Sequence, residues 1–84
     1  MAKFFITWLD NTGKINVTLV KAQNQDRAFR ILTDFYDETL VEYICYIPES
    51  EILKYAQIMA ESEDPKVESG TVLNGMVFLK EEDV

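Results

Sequence analysis

The sequence predicts an α+β domain: a single mixed, mainly antiparallel sheet with two helices packed on one face. Its elements run in the order ββαβα followed by β or a ββ hairpin. Three observations carry this. The runs KFFITWLD and KINVTLVKA are extended in character and flank Asp10-Asn11-Thr12-Gly13, a series of turn formers. Two later segments repeat apolar residues at helical spacing. A β-branched and aromatic run, LVEYICYI, lies between those segments, and a helical crossover usually returns a parallel strand.

Each element has a local reason. In residues 3–10 both sides of the strand are apolar, with Phe4, Ile6 and Trp8 alternating with Phe5, Thr7 and Leu9. That pattern suits a central strand covered on both faces, or on one face plus a partner. Residues 14–22 alternate more cleanly, which predicts a half-exposed strand with Ile15, Val17 and Leu19 inward and Asn16 and Thr18 outward. Asn24 is a good N-cap for QDRAFRILTDFYD, in which Ala28, Ile31, Leu32 and Phe35 share one stripe. Asp26–Arg30 and Arg30–Asp34 are spaced for i,i+4 ion pairs.

After the LVEYICYI strand, Pro48 suits a first helical turn, and Glu49 and Glu51 complement the helix dipole there. The second helix is expected to reach about residue 62, with Ile52, Tyr55, Ala56 and Met59 inward and Ile58 off that stripe. ESEDPKVESG is a loop by composition. In TVLNGMVFLK, Asn74-Gly75 favours a type I′ hairpin, with one bulged strand as the alternative. The 84 residues make one domain, 1–84, whose last four residues, 81–84, read as a frayed acidic tail.

Composition removes many mechanisms. The chain has no histidine and one cysteine, Cys45. Serine and cysteine triads, structural zinc sites and HExxH chemistry all need one or the other in number. The three glycines lack the spacing of a phosphate-binding loop. Cys45 sits among apolar and acidic neighbours, with no cation nearby to lower its pKa, so it reads as core filler. LDNTGK resembles, over a few positions, the DKTGT phosphorylation loop of P-type ATPases, with Asn11 and Lys14 departing from it. Turn formation alone asks for the same Asp, Asn and Gly. Asp34, Asp37 and Glu38 can converge on a helix face, but no calcium-loop pattern surrounds them. No enzymatic activity, cofactor or metal is therefore expected. An N-terminus without a leader pattern, and no long apolar run, make cytoplasmic residence the expectation, with no membrane association.

Charge is the most informative feature. Residues 1–30 hold five basic against two acidic residues, net +3, and residues 31–84 hold three lysines against thirteen acids, net −10. Such a surface repels nucleic acid and attracts basic proteins. The expected function is a small acidic protein-binding module that engages a basic protein surface. An inhibitor or regulator of a nucleic-acid-handling protein, nucleic-acid-mimic-like and of the phage or mobile-element accessory type, fits that description. Its expected partner-binding residues are Asp34, Asp37, Glu38, Glu42, Tyr46, Glu51, Ile58, Glu61, Glu63 and Asp64, with Tyr43 and Tyr55 as further anchors. The alternative is a self-associating structural or assembly protein that uses its sheet as a dimer interface, with Phe5, Leu9 and Ile58 exposed. The first reading assumes that the carboxylates of the middle and later segments gather into one electronegative patch.

Overall fold

Strand β1 (Ala2–Asp10) and strand β2 (Ile15–Ala22) form the expected antiparallel hairpin, with Phe4 opposite Val20 and Trp8 opposite Asn16. A computed structural model describes residues 2–44 and 52–81. The expectations for Cys45, Tyr46, Pro48, Glu49, Glu51 and the tail from residue 82 lie outside these residues. Helix α1 (Gln25–Phe35) starts where Asn24 predicts: its side-chain oxygen accepts from the Arg27 N–H at 2.9 Å. Strand β3 (Leu40–Ile44) pairs antiparallel with β1, helix α2 spans Ile52–Glu61, and β4 (Val72–Leu73) and β5 (Met76–Lys80) end the described chain.

The result is one mixed five-stranded sheet in the order β3-β1-β2-β5-β4. Only the β2–β5 contact is parallel; the other three strand pairs are antiparallel. The last hairpin resolves the choice left open by TVLNGMVFLK: Asn74 and Gly75 have φ of 49° and 83°, the two positive values a type I′ turn requires. No helix among the described residues is long and apolar enough to cross a membrane.

The α+β class and the mixed sheet are as predicted, but the helices do not share a face. Ala28 and Leu32 of α1 pack with Ile6, Trp8, Val20, Ala22 and Leu79. Tyr55 and Ile58 of α2 pack with Leu19, Met76 and Phe78, and with half-buried Phe5 and Val17. Leu19 and Val20 are adjacent on one strand, and so are Phe78 and Leu79. Neighbours on a strand point to opposite sides, so one helix covers each side of the sheet.

The misreading traces to β2. Thr18 looks like an outward residue, yet it is 1% exposed. Its hydroxyl accepts from the indole N–H of Trp8 at 3.0 Å, and that bond allows both polar atoms inside. With Thr18, Val20 and Ala22 buried on one side and Leu19 on the other, β2 is a central strand rather than a half-exposed one.

The second correction is the rotation of α2. Ile58, expected off the inward stripe, is fully buried, while Met59 is 37% exposed and Ala56 is exposed. Among the described side chains, the buried positions are Tyr55, Ile58 and, just past the helix end, Ser62, an i, i+3, i+7 stripe one residue round from the expected one. Tyr55 stacks on Phe5, with ring centroids 4.7 Å apart, and this contact fixes the rotation. On α1, Phe35 is exposed at the helix end rather than buried. Among the described residues, the Asp26–Arg30 and Arg30–Asp34 pairs do not close. Arg27 pairs instead with Glu81 at 3.4 Å, and the Glu81 N–H donates to the Lys21 carbonyl at 2.8 Å. Glu81, placed in a frayed tail by its sequence position, is thus tied to the sheet end.

Candidate interaction surface

The β1–β2 turn shows first what Asp10 does. Its Oδ1 accepts from the backbone N–H groups of Thr12 and Lys14, at 2.9 and 3.0 Å, and from the Thr12 hydroxyl. Its Oδ2 accepts from the Asn16 side chain at 2.9 Å. The Thr12 hydroxyl above all, then Asn16 and the two backbone groups, hold the carboxyl well below the usual Asp range. A carboxylate engaged on both oxygens is a turn anchor, which agrees with the structural reading of LDNTGK.

Three expected partner-binding acids are neighbours in the chain at the end of α1, and the fourth, Glu42, is opposite Leu9 on the α2 side of the sheet. Asp34 ends α1, Asp37 and Glu38 form the turn after it, and Glu42 is on β3; all four are exposed. Local sequence puts the first three at one corner of the sheet, and cross-strand contacts hold it. Leu40 lies opposite Asp10, the Asn11 N–H donates to the Thr39 carbonyl at 2.8 Å, and the Asn11 side chain donates to the Glu38 carbonyl at 3.3 Å. Among the described residues none of the four forms an ion pair, and no group of three acids is arranged to hold a metal ion. Beside them on the edge strand β3, Val41 is 60% exposed, because the β1–β3 register shifts between Leu9 and Asp10 and leaves Val41 without an opposite residue.

The remaining described acids lie elsewhere. Glu61 is exposed at the end of α2, Asp64 Oδ1 accepts from the Lys66 N–H at 2.9 Å, and Glu63 is ion-paired with Lys3. The hydrogen bond from Lys3, and its charge, lower the Glu63 pKa. Lys3 sits at the far end of β1 from Asp10, and seven strand residues span roughly 23 Å. Screening acts over about 8 Å at physiological salt. The two acidic groups are therefore separate in end and in field, and Glu63 is neutralised by an N-terminal lysine. Among the described residues, the single patch expected from the charge map is not formed.

The apolar anchors are corrected as well. Ile58 and Tyr55 belong to the core, Phe5 and Leu9 are half-buried, and the Tyr43 hydroxyl reaches Thr33 and donates to the Phe29 carbonyl at 2.9 Å. The apolar residues that do reach solvent are Ile15, Phe35, Val41, Met59 and Val72. Val41 was missed because strand alternation pairs it with Tyr43, and only the register shift exposes it. Comparison of the chain with known protein families, with curated proteins and with solved structures finds no match.

Proposed function

We propose that this protein is a small non-enzymatic binding module whose acidic corner engages a basic surface of a partner protein. The observation that carries the reading is the set Asp34, Asp37, Glu38 and Glu42, all exposed and, among the described residues, without ion pairs, with Val41 exposed beside Glu42 on β3. Interfaces favour an apolar centre ringed by charge, and unpaired carboxylates speed encounter with cations. Three carboxylates at the end of α1, with Glu42 on the neighbouring edge strand, suit a compact basic spot. A long phosphate track would ask for charges along the whole domain, so regulation of a nucleic-acid-handling protein enters here through a local contact. Self-association has less to work with: a helix covers each side of the sheet, and pairing two β3 edges brings Glu42 toward its own copy.

The test is affinity capture at low and high salt with identification by mass spectrometry, comparing the native chain with Asp37→Lys/Glu38→Lys. A basic protein captured by the native chain, released by salt and lost with the variant is the expected result. Equal capture by both chains overturns the reading.

A further inference from the structure

Three lysines stand side by side across the sheet. Lys3 of β1 is directly opposite Lys21 of β2, and Lys21 is beside Lys80 of β5. Strand alternation puts all three on the α2 side, with Phe5, Leu19 and Phe78. Directly opposed side chains on neighbouring strands begin ~5 Å apart, and like charges so placed are unfavourable. The surroundings offset this only in part. Lys3 donates to the Met59 carbonyl at the end of α2, at 3.2 Å, and pairs with Glu63. Lys80 donates to the Val67 carbonyl at 3.0 Å. Among the described residues, the Lys21 ammonium has no hydrogen bond or ion pair, although it lies near enough to Glu63 to act on its charge. One carboxylate, Glu63, thus pairs with Lys3 and acts on Lys21. It comes from the loop after α2, and its side chain is 65% exposed against 10% for Lys3. Glu63 is the exposed part of the arrangement, and Lys3 and Lys80 are held by backbone carbonyls.

We propose that Lys3, Lys21 and Lys80 form the floor of a site for a small phosphate-type oxyanion, and that Glu63 occupies this site in the anion's absence. A doubly charged oxyanion matches a row of lysines better than one carboxylate does, and its several acceptor oxygens suit ammonium donors that point from neighbouring strands. The Lys3 side chain, 10% exposed and bonded to the Met59 carbonyl, is reached by a small free anion more readily than by a membrane surface. The site is independent of the acidic corner, which lies at the other end of β1.

The experiment is a titration of the full chain with inorganic phosphate, followed by backbone amide NMR shifts at constant ionic strength, with chloride as the reference arm. Shifts at Lys3, Lys21, Lys80 and Glu63 are expected. Lys21→Gln should abolish them while leaving the thermal melt near native. Glu63→Gln should tighten binding about two- to five-fold, the range set by removing one exposed ion pair. A gain in affinity cannot arise from misfolding, so this variant protects the test. Shifts no greater than those with chloride, shifts that survive Lys21→Gln, or a Glu63→Gln affinity that is unchanged or weaker each overturn the proposal. Co-sedimentation with phosphatidylglycerol vesicles would overturn the assignment to a free anion.

Discussion

Asp10 and Thr18 show how one side chain decides a local structure. Asp10 gathers the donors of the β1–β2 turn, and Gly13, at φ 84°, supplies the left-handed position beside it. Because the folded carboxyl has a lowered pKa, its contribution to stability is complete above the ordinary Asp value of about 4 and is lost as pH falls below that value. Thermal melts between pH 7 and pH 2 should show this decline. Asp10→Asn should lower the midpoint at pH 7 and flatten the acid limb; an unchanged limb would remove Asp10 as its source. The role of Asp10 was legible in the sequence because a turn is a local device. That of Thr18 was not: a threonine in an alternating run looks solvent-facing until its partner, the Trp8 indole, is known.

Secondary-structure elements form where local signals put them, and tertiary contacts decide which way they face. The Asn24 cap and the Asn74-Gly75 turn are fixed by neighbours in sequence and appear as expected. Helix α2 is the contrary case. Its composition permits two adjacent apolar stripes, one through Met59 and one through Ile58. The β2–β5 surface selects the second, since Leu19 and Phe78 lie beneath Tyr55 and Ile58. Ile58→Ala should therefore cost about 2–5 kcal/mol, and Met59→Ala, at an exposed position, within about 0.5 kcal/mol. Urea melts compare the two directly. Similar losses at both positions would return α2 to the stripe expected from sequence, and with it would fall the placement of Ile58 in the core.

At the scale of the whole molecule the balance of charge is set by topology. A net charge of −7 implies self-repulsion, concentrated where Asp34, Asp37 and Glu38 share a helix end without ion pairs. Raising salt from 20 to 300 mM should lift the melting midpoint by on the order of a few degrees, and Asp37→Asn/Glu38→Gln should reduce that rise. A salt response identical in the variant would place the repulsion elsewhere. The N-terminal lysines are not spread as a counterweight to the acids. Strand pairing gathers Lys3 and Lys21 beside Lys80 and draws Glu63 onto them. Glu63 is thereby paired within the protein, while Asp34, Asp37, Glu38 and Glu42 are exposed and, among the described residues, form no ion pair.

By itself the sequence determined the α+β class, the element order as far as α2, the first hairpin and the α1 cap. All of these depend on interactions within a few residues. Only the tertiary structure decided that a helix covers each side of the sheet, that Ile58 is core, that the acids divide into two groups and that three lysines align. Those outcomes depend on which strands become neighbours and in what register, and residues far apart in the chain meet only when the sheet closes.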